Sequence, residues 1–498
     1  MHPTAAPSDE SGQRDQRLVL KNTAYLGIAE VLSGPLSVAI NAVLGHFLGP
    51  TNLGYIYFAT TLCSAAVLFV VWGHHGPLAA AVAVDRTTAG KMLGTSWVFR
   101  AVNAALAFAI LLGSTAVLDF SSEQRWAIAL VFVSSAIGAL SAACTDVMRG
   151  FERTDVAAYM RVGSQLLTAA VIIPVLFAGG GLRAALSIQA LVAAIVLFAT
   201  VRFLGRLGVN ELHWDGSALR KLTIDGTSFV AFQLVIVLQP NIDAFYLAKL
   251  VPSEVVGWYA VSARLAGVLM IPAAALVGSL YPTLCRLTAT NQAGYLQLVR
   301  DSLGAVSMVV FPLALGCAFY PDIGVMIFGR AAYRPAEDTL RFFAIQLALI
   351  YFCMPIGTAI IASGRQRTWT LVQATCLVVC LVLDPIWIKF FQAKTGNGGT
   401  GLPVTGAISE ACIVSAGLWL LPKGIFDRRL LKSLAVSGCS ALCMAAVAFG
   451  LRQLTDISLL TAPVAILAYG LALYAQGGIR GEQLTGIQGF VKRKLKRA

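Results

Sequence analysis

A chain of 498 residues that is 57% apolar and only 12% charged, with a net charge of +13, is composed for lipid, since water-soluble domains run near 25% charged. The apolar stretches cover nearly the whole length and leave no room for a separate water-soluble catalytic domain of ordinary size. Any chemistry must sit inside a helical bundle or on short loops.

The opening residues, MHPTAAPSDESGQRDQR, are polar and of mixed charge. They lack the apolar run and small-residue cleavage site of a secretion signal and read as a short cytoplasmic tail. Windows of about 20 residues, the length that spans a bilayer core as helix, then predict fourteen helices, so the fold class is an all-α polytopic membrane protein. Their limits are 24–46, 54–73, 92–117, 126–148, 157–178, 182–204, 226–249, 256–281, 300–320, 339–362, 368–391, 402–421, 431–450 and 457–476. An even number puts both termini on one side. The tails and loops of that side carry most of the 37 Lys and Arg, among them Arg149, Arg153, Arg220, Lys221 and the terminal KRKLKR. Positive residues collect in the cytoplasm, so both ends are expected inside. The same bias accounts for the net charge through topology and anionic headgroups, not nucleic acid. Trp72, Trp97, Trp126, Trp258, Trp369 and Trp419 lie near span ends, where indole rings settle at the interface. The ten cysteines lie mostly in apolar runs without a C-x-x-C pair and read as small apolar fillers.

A repeat divides the chain. LGPTNLGYIYFATTL (48–62) aligns with VPSEVVGWYAVSARL (251–265), matching Gly54 to Gly257, Tyr55 to Trp258 and Leu62 to Leu265. The offset of 203 residues is six helices, and an even number returns the chain to the same side, as in transporter halves related by an axis along the membrane normal. The expected organisation is a cytoplasmic tail (1–20), an N-lobe of helices 1–6 (21–206), a cytoplasmic linker (207–221), a C-lobe of helices 7–12 (222–421), two further helices (422–476) and a basic cytoplasmic tail (477–498). Two such pseudo-symmetric lobes enclose a central cavity as the natural substrate site. In this register Arg264 stands opposite Thr61.

The segment PNIDAFYLAKLVPSEVVGWYAVSARLAGVLMIPAAALVGSLYPTLCRL (240–287), its partner LGPTNLGYIYFATTL, and FGRAAYRPAEDTLRFFAI (328–345) resemble the polysaccharide-transport family. These are the Wzx-like oligosaccharide flippases of the multidrug/oligosaccharidyl-lipid/polysaccharide exporter superfamily. The resemblance runs from about residue 18 to the end and includes a fourteen-helix plan. It implies a transporter and not an enzyme, with no cofactor, in the inner membrane of a bacterium. Its substrate would be an undecaprenyl-pyrophosphate-linked oligosaccharide, flipped to the outer leaflet for lipopolysaccharide or exopolysaccharide synthesis. Membrane lipids, and a polysaccharide polymerase with chain-length proteins, are the implied partners.

Ionisable residues within spans are costly and by default face the bundle interior or a wet cavity. The candidates for the cavity are Arg264, Asp243, Glu30, Arg149 and Arg100, with Asp146, Asp384 and Glu410 also inside spans. Arg264 offers a bidentate fork to phosphate oxygens; the alternative is an ion pair with Asp243 on the neighbouring helix. Glu30 either lines a lobe or snorkels to the inner interface. Arg100, one turn from Trp97 near the cytoplasmic end, fits interface anchoring better than the cavity. Arg149, with Arg153 and Arg161, would draw an anionic headgroup to the inner mouth, although the positive-inside bias also explains it. Asp384 precedes Pro385 and marks a kink. His74 and His75 sit at a helix end with no third ligand nearby, so no metal is expected. No G-x-x-x-x-G-K-[ST] stretch exists for nucleotide hydrolysis, and no loop carries a carboxylate pair for glycosyl transfer. The rival readings are a cation-coupled drug antiporter of the same superfamily, a polytopic polymerase or ligase, and a scaffold that transports nothing.

Overall fold

The computed structural model describes residues 9–478 apart from 423 and 456, with the backbone alone at 9–28, 30, 31, 228, 231, 232, 235, 236 and 330. Among the described residues all regular structure is helix. In chain order it runs α1 (Asp9–Val71), α2 (His75–Val84), α3 (Ala89–Val117), α4 (Ser122–Gly150), α5 (Thr154–Phe177), α6 (Leu182–Arg206), α7 (Gly216–Leu250), α8 (Ser253–Leu269) and α9 (Ile271–Thr290). There follow α10 (Gln292–Phe319), α11 (Pro321–Val325), α12 (Arg330–Tyr333), α13 (Pro335–Ala362), α14 (Gln366–Thr395), α15 (Gly401–Leu420), α16 (Arg428–Leu454) and α17 (Ser458–Ala475).

Eleven of the described helical segments are long and apolar enough to cross a membrane, or twelve if the bent pair α8–α9 counts as one span. The sequence suggested fourteen. Much of the difference lies at the start, where the first two expected spans and α2 form one continuous apolar segment, Leu32–Val84. The 63 residues of α1 would reach roughly 95 Å as a straight helix, about three bilayer cores. The helix is instead kinked at Gly49, whose φ of 78° and ψ of 172° lie where a Cβ is disfavoured. Pro50 follows, and Asn52 Nδ2 donates to the Leu48 carbonyl at 2.9 Å, satisfying a group that the break would otherwise free.

The chain forms two compact units, residues 1–257 and 258–498. The repeat assigns α7 to a second lobe, but α7 packs on α1, α2 and α3, and the contact boundary falls at Gly257. In the first unit Leu44, Ile56, Phe58, Ala59 and Cys63 of α1 form a buried core with Ile128 and Phe132 of α4, Leu186 of α6 and Ala244 of α7.

Two devices hold α7 there. Where α1 breaks into α2, Gly73 (φ 65°) lies so close to α7 that an added Cβ would sit 2.3 Å from the Gly226 carbonyl oxygen. Ahead of α7, the connection from α6 is laid across the start of α3: a Cβ on Gly90 would meet the Glu211 carbonyl at 2.1 Å, and one on Gly94 the His213 carbonyl at 2.7 Å. Thr95 Oγ1 accepts the Asp215 N–H at 3.0 Å. The Asp215 carboxylate pairs with Lys91 and caps α7 by accepting from Ser217 N at 2.6 Å and Ala218 N at 3.1 Å.

Lys91, then Ser217 and Ala218, hold the Asp215 carboxyl well below the usual carboxylate range. A depressed folded pKa stabilises above the unfolded value, about 3.9, and that contribution is lost as the pH falls through the folded one. Asp215→Asn is therefore expected to lower the melting temperature at neutral pH, with the gap to wild type closing in strong acid. A gap that stays constant from pH 7 down to pH 2 would remove the carboxylate from this role.

The repeat is also visible as a reciprocal contact within the first unit. A Cβ on Gly54 would fall 2.1 Å from the Ser253 carbonyl oxygen, and one on Gly257 would fall 2.0 Å from that of Pro50. Residue 253 is the repeat equivalent of residue 50, so the same contact is made twice, as across a two-fold axis. Only hydrogen fits at either glycine. Gly257→Leu should cost about 1–3 kcal/mol through overpacking, measurable as a lowered melting temperature in detergent. No shift would mean that the two turns separate freely.

In the second unit, α8 is bound along one side to the segment after α10. Trp258 Nε1 donates to the Ala332 carbonyl at 3.0 Å, Ser262 Oγ donates to that of Ala336 at 2.8 Å, and Gly324 of α11 packs on Leu265. The motif at 328–345 thus serves to hold α8. Between α8 and α9 the chain bends by 41°, and Tyr351 Oη of α13 donates to the Leu269 carbonyl at the break. Trp369, expected at the interface, is buried instead: its ring lies against Gly357 of α13 and Gly417 of α15, glycines that leave a slot for it. Trp126 and Trp419 are exposed. Helices α16 and α17 dock through Arg452, whose Nη2 reaches the buried Asp322 Oδ1 at 2.7 Å, and through Tyr469 Oη, which donates to the Met308 carbonyl at 2.9 Å.

Candidate functional site

The first unit concentrates its charge where α2, α3 and α4 meet. Gly150, at the end of α4, lets α2 approach so closely that a Cβ there would meet Val82, and this brings the start of α2 to Asp146. The Asp146 side chain is 3% exposed. Its Oδ2 is 3.0 Å from His75 Nδ1 and 3.8 Å from Arg100 Nη2, while Oδ1 is 3.4 Å from Arg149 Nη1. A carboxylate near a helix C-terminus opposes the helix dipole, so Asp146 depends on these neighbours. With His75 neutral, two cations face one anion.

Arg100 is fully buried. Its Nη1 donates to the Ala139 carbonyl on α4 at 2.5 Å. Nε and Nη2 have no hydrogen-bond partner, because 3.8 Å is a charge contact and not a hydrogen bond. Trp97, one turn before it, donates Nε1 to the Leu140 carbonyl at 3.1 Å. Arg100 and Trp97 therefore fasten α3 to α4, and the interface anchoring expected for this pair is not what the geometry shows. His74, also fully buried, stacks on Phe99 at 4.6 Å and meets Ser96 Oγ at 3.3 Å. Arg149 and His75 are half exposed on the outer side of the cluster, while Arg153 pairs with Asp155 at 3.0 Å.

Of the residues named from sequence, Arg100 and Arg149 are thus gathered on Asp146. Asp243 is a half-buried residue of α7 in the first unit. Arg264 is a half-buried residue of α8 in the second, within electrostatic reach of the buried Tyr333. Glu30 lies on α1, its side chain outside the described residues. Asp384 is buried in α14. The histidines join no metal cluster among the described residues; His75 instead meets the Asp146 carboxylate, a contact the sequence reading missed. For the pairing of Arg100 with Asp146 a signal was available, since the two lie at similar depths on the same side of adjacent spans.

Two helical units of this kind, each with ionisable side chains inside spans, define a class. The fold is similar to that of a lipid II flippase MurJ in its inward closed conformation, with a TM-score of 0.64 at 12% identity over 91% of this chain and 99% of that one. It is similar to an inward-facing multidrug resistance MATE family transporter of the MOP superfamily, with a TM-score of 0.58 at 14% identity over 84% of this chain and 99% of that one. A Vibrio cholerae MATE transporter gives 0.54 at 15% identity, over 81% and 95% of the two chains. The fold is therefore that of multi-pass membrane transporters, as the sequence resemblance implied. The polysaccharide biosynthesis protein family model matches residues 19–288, more than half of the chain, and the protein belongs to that family. No curated protein sequence matches it.

Proposed function

We propose that the protein flips an undecaprenyl-pyrophosphate-linked oligosaccharide across the inner membrane of a bacterium, for lipopolysaccharide or exopolysaccharide synthesis, with both termini in the cytoplasm. The observation that carries the reading is the coincidence of a polysaccharide biosynthesis family match with a flippase-like fold. The sugar and pyrophosphate enter from the cytoplasmic side while the polyprenyl tail stays in lipid. Alternating access then releases the headgroup outside. A polar headgroup crossing bare hydrocarbon would lose its hydrogen bonds to water at several kcal/mol for each unsatisfied group, and a polar route removes that barrier. An inside-negative potential favours export of an anion by about 2.3 kcal/mol per charge per 100 mV.

In this reading Arg264 binds phosphate, and Arg100 and Arg149 keep the cytoplasmic end of the first unit positive and rigid. Asp243 and Glu30 serve as polar positions along the route. The polymerase and chain-length proteins would receive the exported unit. The test is a leaflet-accessibility assay in proteoliposomes holding a lipid-linked oligosaccharide. Headgroups should reach the opposite leaflet faster with the protein than without it, and equal rates would end the flippase reading.

A further inference from the structure

The second unit contains a carboxyl that the proposed function does not use. Glu410 lies midway along α15, which packs against α13, α14 and the turn at 398–400. Its Oε2 is closed off from solvent and has no hydrogen-bond partner. Among the described residues no Lys, Arg or His lies within ion-pair distance of it. The groups that face it are the thiols of Cys353 from α13 and Cys376 from α14, with Ser409 and Cys412 beside it on α15. Cys380 and Asp384 stand one and about two turns farther along α14.

A thiol is a weak donor and cannot replace water around a full negative charge. An ionised carboxylate in such a place is far less favourable than the neutral acid. Glu410 as a whole is half-buried, with its Oε2 at the closed end; of the buried carboxyls described above, Asp146 by contrast has Arg100 and Arg149 beside it, and Asp322 has Arg452.

We propose that Glu410 is a proton-binding site of the transporter, holding a proton in this conformation and releasing it when α13, α14 and α15 shift to admit water or a cation. The inference rests on the transporter reading for its purpose, but not for its test. The transfer is a simple one, an O–H bond made to the carboxylate on uptake and broken on release to water.

Infrared difference spectra of the full-length protein in nanodiscs should show a carboxylic-acid C=O band at neutral pH that is missing in Glu410→Gln. An identical band in both would overturn the assignment. In proteoliposomes carrying a pH gradient, Glu410→Gln, which stays neutral, should keep downhill movement of the lipid-linked sugar but lose at least tenfold of its acceleration by the gradient. Glu410→Asp should retain that acceleration. A gradient response in Glu410→Gln equal to wild type would overturn the coupling role. If wild type moves no lipid at all, the flippase reading fails, and the infrared comparison still decides whether Glu410 holds a proton.

Discussion

Arg264→Ala is expected to slow translocation of a pyrophosphate-linked sugar lipid by about 10- to 100-fold. A hydrogen bond to a charged group contributes about 1.5–3 kcal/mol, and each 1.4 kcal/mol is a factor of ten. The loss should appear in leaflet-accessibility rates and leave the melting temperature nearly unchanged, because Arg264 is only half-buried and α8 is fixed independently by Trp258 and Ser262. Arg264→Lys keeps the charge without the planar fork and should fall between the two. Equal rates for wild type and Arg264→Ala would remove the residue from the substrate route while leaving the transporter assignment standing.

The second large effect is on stability. Removing one member of a buried ion pair costs about 3–5 kcal/mol, because the charge left behind is uncompensated. Arg100→Ala should fall toward the lower end, since Asp146 keeps His75 and Arg149. It also strips the Ala139 carbonyl of its donor. The measurement is thermal unfolding in detergent, carried through a double-mutant cycle with Asp146→Asn. Arg100→Met combined with Asp146→Asn should be less destabilised than Arg100→Ala alone, because apolar replacement of a whole buried pair is often close to neutral. Strictly additive losses would mean that the 3.8 Å contact contributes nothing and that Arg100 acts through packing only.

Hydrophobicity made the helical class legible, and the expected spans from 92–117 onward each fall on described helix. The expected break between the first two spans, 24–46 and 54–73, falls where Gly49 and Pro50 kink α1, although the helix continues through it with no polar loop to mark the end of a span. The repeat was legible because Gly54 and Gly257 answer a steric demand, two backbones in contact, that no other residue meets. Arg100 was harder to place. Its nearness to Trp97 suggested an interface, but a long side chain on a helix reaches either headgroups or a neighbouring helix, and only the position of α4 decides between them. Trp369 was misplaced for the same reason, since the slot that receives it is defined by glycines on two other helices. His75 could not be paired from sequence because its partner lies 71 positions away, on a helix whose packing depends on Gly150.

The seating of α7 bears on how the polypeptide can be divided. Ala244 and Leu247 are essentially inaccessible, and Ala244 belongs to the core that α1 and α4 build. A fragment ending at Arg206 would lay that face open to detergent or lipid and lose the strap over Gly90 and Gly94. One ending near Gly257 would carry both. Coexpression of complementary pieces should therefore succeed with a break after α7 and fail with a break in the connection before it, the reverse of what loop length alone would recommend.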